Sequence, residues 1–218
     1  MLNVQIIDTG KSRSFPDLAE FGLLSDTNAD ILLIIGQDVH QALKAISNPN
    51  AYQLILLELG VECLGIHTGE SLGDEGSHIL GFARYKMGDD PATKLIELVK
   101  QPKSKAQSIE TAKSFFASLE LVVAVCADTP GRIVDRLIRP YLNSVLRRLD
   151  DGLATAADMD KTLKLGLGYP EGPLSMLQRS GLEHHAQVTE GLYQALGNPG
   201  FFPARRALVA KTIKSNQS

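Results

Sequence analysis

The stretch Asp128 to Pro173, DTPGRIVDRLIRPYLNSVLRRLDDGLATAADMDKTLKLGLGYPEGP, is where turn chemistry and apolar periodicity agree, and the fold is read outward from it. From Ile133 the apolar residues recur as Val134, Leu137, Ile138, Tyr141, Leu142, Val145, Leu146 and Leu149, a stripe at helical period with Arg and Asp on the other side. That pattern predicts one long core-facing helix. Asp128-Thr129-Pro130-Gly131 supplies the turn before it and a capping oxygen, and Asp151-Gly152 supplies a residue free to take positive φ after it. Pro140 removes one backbone donor, so a kink without a break is expected. Thr155-Ala156-Ala157-Asp158 opens a second helix, through Met159 and Leu163 to Gly166. Leu165 to Pro170 is expected as a tight turn, since two glycines and a proline oppose a helix, and Pro173 restarts one.

These residues resemble the C-terminal helical domain of NAD-dependent 3-hydroxyacyl-CoA dehydrogenases. The family pattern is a D-T-P-G-x-x-x-N-R-x-x-x-P-Y turn and helix followed by a K-L-G-x-G-Y-P-x-G-P turn. Here it stands as Asp128-Thr129-Pro130-Gly131, Arg136, Pro140-Tyr141 and the run Lys164 to Pro173, and the likeness extends from about Lys94 to Arg206. The resemblance implies a helical domain that dimerises and closes an acyl-CoA cleft. It marks Arg136, Tyr141, Tyr169, Pro170, Gly172 and Pro173 as substrate or interface residues. One departure matters: the family's active-site Asn position is Asp135, which becomes the candidate catalytic residue.

The segment upstream alternates strands and helices. Val4 to Ile7, Ile31 to Ile35, Gln53 to Leu57, Leu64 to His67, Ile79 to Tyr85, Leu95 to Val99 and Leu121 to Val125 read as strands. Asp38 to Ile46 and Ser104 to Leu119 read as helices. Continuous Ile- and Leu-rich strands predict a mostly parallel sheet covered on both faces. The fold class is therefore a reduced Rossmann-like α/β domain, residues 1–127, followed by an all-α helical domain, residues 128–218. After Pro173, Gly181 begins another helix with Leu182, His185, Val188, Leu192 and Leu196 in phase, Asn198-Pro199-Gly200 stops it, and Lys211 to Ser218 is expected to fray.

Composition narrows the function. A net charge of -3 without a basic stripe argues against nucleic acid. No apolar run reaches the roughly 18 residues of a membrane span. Cys63 and Cys126 fit no metal or redox spacing and are expected as buried free thiols, so a reducing cytoplasm is the simplest location.

Hydride transfer on a dinucleotide needs a glycine-rich turn between the first strand and first helix. The first strand here runs instead into Asp8-Thr9-Gly10-Lys11-Ser12-Arg13-Ser14-Phe15-Pro16. The catalytic His that the resemblance calls for belongs after a strand like Ile79 to Phe82, and alignment on Gly81 and Lys94 puts Ala83 at that place. His78 is close in sequence but on the wrong side of that strand. Loss of such a base removes about 10²–10⁴-fold of rate. NAD is therefore the family's cofactor, yet none is expected on this chain alone. No metal site is expected either: His184-His185 point about 100° apart on a helix and are expected as surface or partly buried histidines, and His40 and His67 are each read as isolated. Asp8-Thr9-Gly10 has the look of an aspartic-protease half-site, which the helical second half opposes. Arg147-Arg148 and Arg205-Arg206 fit solvated helix faces or a CoA phosphate, and the loop Met87 to Pro91 shows no obvious ligand. Three readings stay open: a component that needs a catalytic dehydrogenase partner, an independent enzyme using Asp135, and a non-catalytic acyl-CoA-binding or dimerisation module with a homodimer surface at Leu137, Tyr141 and Leu165 to Pro173.

Overall fold

The computed structural model describes residues 3–23 and 25–217, so Ser218, the end of the tail expected to fray, lies outside the described residues. The chain forms two compact units. One runs to Lys86 and resumes from Ala92 to Arg132; the other joins Met87–Pro91 to the chain from Ile133 onward.

Among the described residues of the first unit, six strands build one sheet: β1 (Val4–Asp8), β2 (Ile31–Ile35), β3 (Leu54–Glu58), β4 (Ile79–Arg84), β5 (Leu95–Lys100) and β6 (Val122–Ala127). They lie in the order of the sequence, β1 to β6, and all neighbours pair parallel except β4 with β5. Three helices accompany them, α1 (Val39–Lys44), α2 (Gly65–Thr68) and α3 (Ala106–Ser118). Every residue of β2 and β3 is buried. Side chains alternate along a strand, so Ile31, Leu33, Leu54 and Leu56 pack with Phe115 and Phe116 of α3 on one face. Leu32, Ile34, Ile55 and Leu57 pack with Val39 and Leu64 on the other. Covered faces explain why these strands read as unbroken apolar runs.

Leu64 to His67, expected as a strand, instead leads into and forms α2. The reason is Asp128, whose two carboxylate oxygens accept the N–H groups of Leu64 at 2.6 Å and Gly65 at 2.8 Å. Adjacent amides aimed at one carboxylate belong to the start of a helical turn, because neighbouring amides of a strand point to opposite sides. The expectation that the Asp128 to Gly131 turn supplies a cap for the long helix is overturned as well. That helix, α4 (Val134–Asp150), starts from Ile133 without a side-chain cap. Gly131 and Arg132, at φ 75° and 51°, turn the chain before it.

The second unit adds α5 (Ala156–Leu167), α6 (Pro173–Ser180), α7 (Leu182–Leu196) and α8 (Arg205–Ser215). Pro140 lies within α4, which continues as one element. Thr155 Oγ1 accepts the Asp158 N–H at 3.1 Å and opens α5. The turn expected from Leu165 comes later: Gly166 stays helical, and Gly168 at φ 71° caps α5. A glycine inside a helix costs only about 0.5–1 kcal/mol relative to alanine, too little to stop it. The tail expected to fray from Lys211 stays helical to Ser215, and Lys211 pairs with Glu190 of α7.

The loop Met87–Pro91 is bound to the helices. A Cβ on Gly88, at φ 55°, would lie 1.7 Å from the Ser180 carbonyl oxygen, which also accepts the Asp89 N–H at 3.1 Å. Asp90 pairs with Arg179, and Asp89 with His184 at 3.0 Å.

Candidate functional site

Asp135, Arg139 and Asn143 occupy successive i, i+4 positions of α4, so one row of the helix carries three polar groups into the core. Arg139 Nε donates to Asp135 Oδ1 at 2.7 Å, and its Nη1 lies 3.2 Å from His185 Nδ1 on α7. His185 Nε2 faces Asn143 Oδ1 at 2.9 Å, which also accepts the Ala204 N–H at 3.2 Å, while Asn143 Nδ2 donates to the Gly200 carbonyl at 3.1 Å. A guanidinium has donors only, so His185 Nδ1 is the acceptor and the ring proton sits on Nε2. Burial, and then the Arg139 charge, hold His185 down at about 3. His185 is 1% exposed, in keeping with its phase on the apolar face and more deeply buried than the surface or partly buried place expected of the histidine pair. Packing of α7 against α4 decides this, and His184 next to it stays partly exposed beside Asp89. Asp135 thus neutralises a buried arginine, a role that ties down the carboxylate proposed for catalysis.

The junction of α5 and α6 holds the other residues marked by the second motif. Asp160 is buried and accepts three hydrogen bonds, from Leu174 N at 2.9 Å, Ser175 N at 2.8 Å and Ser175 Oγ at 2.6 Å. It caps the first turn of α6. Gly172 is glycine because a Cβ there would lie 2.1 Å from Asp160 Cγ, and Pro173 fits the first helical position, whose N–H has no intrahelical partner. Tyr141 and Tyr169 meet edge to face at 6.4 Å, and the Tyr141 hydroxyl is buried without a hydrogen-bond partner among the described residues. Burial first, and Tyr169 second, push the Tyr141 phenol up to about 12. Arg136 and Pro170 are exposed. The structure therefore gathers Tyr141 with Tyr169, and Gly172 with Pro173, while Asp135 belongs to the Arg139 network.

In the sheet unit, Ala83 is buried on β4 in register with Glu97 of β5, and Glu97 pairs with Arg132 at 3.3 Å. His78 precedes β4, at the opposite end of the strand from Ala83, with Nε2 3.1 Å from the Pro49 carbonyl. The residues after β1 lack the glycine amides and helix N-terminus that ordinarily cradle the pyrophosphate of a dinucleotide. The helical segment that follows is a single 3-10 turn, Ala19–Phe21, which offers no helix dipole. Nor does the strand order reverse anywhere in the described sheet, whereas dinucleotides sit at the reversal point of an order such as 3-2-1-4-5-6.

A cleft of about 370 Å³ lies at the carboxyl ends of β1 to β3, walled by Lys11, Arg13, His40, Glu62 and His67 among others. His40 and His67, read as isolated, pack ring to ring at 5.5 Å. A larger cavity of about 680 Å³ opens at the amino end of β1 beside Phe21 and Phe115, away from these groups. The arginine pairs are engaged within the helical unit: Arg205 and Arg206 both reach Asp150, Arg148 reaches Asp151, and Arg147 donates to the Phe202 carbonyl. Both cysteines are free thiols, half-buried where full burial was expected. The network of Asn143 and His185 was missed in the sequence, although the i, i+4 row of Asp135, Arg139 and Asn143 beside the apolar stripe carried its signal.

Among the described residues, a covered, mostly parallel six-stranded sheet and a helical unit define a Rossmann-like α/β fold followed by an all-α unit. Residues 131–217 match the family model for the 3-hydroxyacyl-CoA dehydrogenase, C-terminal domain. It is similar to hydroxyacyl-coenzyme A dehydrogenase, mitochondrial, of Sus scrofa, 36% identical over 124 residues, which are 56% of this chain and 40% of that protein. It is also similar to 3-hydroxybutyryl-CoA dehydrogenase of Bradyrhizobium diazoefficiens, 26% identical over 187 residues, 86% of this chain and 61% of that one. The chain thus spans less than two thirds of the length of either relative. The crystal structure of (S)-3-hydroxybutyryl-CoA dehydrogenase from Ralstonia eutropha shares the fold, with TM-score 0.69 and 19% identity over 86% of this chain and 66% of that one.

Proposed function

We propose that the chain is a 3-hydroxyacyl-CoA dehydrogenase component of β-oxidation-type metabolism that needs a catalytic dehydrogenase partner for hydride transfer. One observation carries this reading: β1 is the edge of a sheet whose strand order never reverses, and no glycine cradle follows it. Such a sheet lacks the reversal point and the glycine amides at which NAD ordinarily sits, and Ala83 offers no base. The Asp135–Arg139 ion pair weighs against an independent enzyme built on Asp135. Acyl-CoA contact through Tyr141 and Tyr169, and a homodimer through the helical unit, belong to the same reading. Exposed Leu137, Leu165 and Leu167, at 73%, 78% and 66%, are apolar surface of the kind such an interface covers. No helix among the described residues is long and apolar enough to cross a membrane, and a cytoplasmic location accords with two free thiols.

Titration of the purified chain with NADH and with acetoacetyl-CoA tests this directly. The component reading expects no turnover alone and a gain when a full-length dehydrogenase is added. Turnover by the chain alone would sink it. Acetoacetyl-CoA binding with no gain from the added dehydrogenase would favour the acyl-CoA-binding module, which the orphaned Tyr141 hydroxyl supports. Sedimentation of the Leu137→Asp variant tests the homodimer, which it should split.

A further inference from the structure

We propose that the cleft at the carboxyl ends of β1, β2 and β3 binds a phosphate-type anion through Lys11, Arg13, His40 and His67. The site is built from side chains, where a dinucleotide site would use glycine amides.

The first observation is a pair of buried imidazole nitrogens without partners, His40 Nδ1 and His67 Nδ1. The His67 side chain is 7% exposed, and neither ring nitrogen makes a hydrogen bond; Nε2 lies 3.5 Å from Glu62 Oε1, within ion-pair range but outside hydrogen-bond geometry. His40 Nδ1 is likewise buried and unpartnered, and its ring packs on His67. Buried polar atoms in folded proteins nearly always have partners, so the two Nδ1 atoms of His40 and His67 on one cleft wall, with neither hydrogen bond nor ion pair, point to a ligand.

The second observation is the charge distribution. The Lys11 ammonium and the Arg13 guanidinium line the same cleft, and neither has an ion-pair or hydrogen-bond partner among the described residues. The carboxylates on the wall are already engaged. Glu58 accepts the N–H groups of Ser14 at 2.7 Å and Gly36 at 2.8 Å, and Glu62 accepts that of Gly60 at 2.8 Å. Free cations beside satisfied carboxylates favour an anion over a metal ion. Phosphate oxygens accept from ammonium, guanidinium and imidazole N–H alike, and these charge-assisted bonds are the strong ones. The position agrees with the rule that ligands of open α/β sheets sit outside the carboxyl ends of the strands, and about 370 Å³ is within the range of small-molecule pockets.

The test follows the ring resonances of His40 and His67 by NMR in the full chain, assigned with His40→Gln and His67→Gln. Inorganic phosphate, pyrophosphate and ADP are titrated in turn against potassium chloride at matched ionic strength. Saturable shifts of both rings are expected, with at least about tenfold weaker binding in the Lys11→Ala/Arg13→Ala double variant, whose two sites are exposed and whose fold is checked by circular dichroism. Equal affinity for pyrophosphate and ADP would identify the phosphate group alone as the ligand; tighter ADP binding would identify a nucleotide source. Absence of saturable shifts with all three probes, or shifts that the double variant leaves unchanged, would overturn the proposal. This outcome is independent of dehydrogenase turnover.

Discussion

Arg139 and His185 share a hydrogen bond of 3.2 Å inside the helical unit, and because the guanidinium can only donate, the imidazole is locked neutral with its lone pair toward Arg139. A second proton on His185 would place two cations in one buried contact.

This relationship sets a pH dependence of stability. His185 titrates near its ordinary 6.5 in the unfolded chain and near 3 in the fold. Between those values the unfolded chain binds a proton that the folded chain refuses. Stability from this group is therefore complete above about pH 6.5 and falls as pH drops toward about 3, on the order of 1 kcal/mol per pH unit. Urea unfolding at about pH 7 and about pH 5 measures the slope, and His185→Gln should flatten it.

Asp135 neutralises Arg139, so its removal strands a buried charge. Asp135→Ala is expected to cost roughly 3–5 kcal/mol, because the lost partner leaves the guanidinium uncompensated. Asp135→Asn keeps an acceptor at the same place and should cost less, about 1–3 kcal/mol. Denaturant midpoints of the three chains give the order; an Asn variant as stable as the parent would mean that the charge is not needed.

Gly172 and Asp160 form a single contact that α6 depends on. Gly172→Ala would drive a methyl into the carboxylate and should destabilise by about 1–3 kcal/mol. Asp160→Ala, which removes three hydrogen bonds from the start of α6, should cost at least about as much as a lost helix cap, 0.5–2 kcal/mol. Thermal melts of both variants read these costs, and an unchanged melting temperature for Gly172→Ala would show that the junction can open.

Cys126 should alkylate slowly. Burial, and then the Glu97 carboxylate, push its thiol up to about 11, so at pH 8 only about one thiol in a thousand is ionised. Iodoacetamide labelling followed by peptide mass spectrometry measures the rate in the native chain. Modification of native Cys126 as fast as in the urea-unfolded chain would contradict the environment described for it.

The elements of this fold are legible in the chain wherever one local signal suffices. The apolar stripe from Val134 to Leu149, the Thr155 cap and the unbroken runs Ile31 to Ile35 and Leu54 to Leu57 each encode their element in their own spacing. The missing glycine cradle after Asp8 is equally a property of sequence. What tertiary structure alone decided is which polar groups meet. Asp128 reads as a cap for the next helix but serves Leu64 and Gly65, more than sixty residues earlier. His40 and His67 lie on separate elements and share a cleft wall only because β2 and β3 are neighbours. His185 reads in phase with the apolar face of its helix, but nothing in its spacing names Arg139 as its partner. Periodicity records which face of an element is buried, but a hydrogen bond or ion pair between distant residues depends on sheet order and helix packing, and no local spacing carries that information.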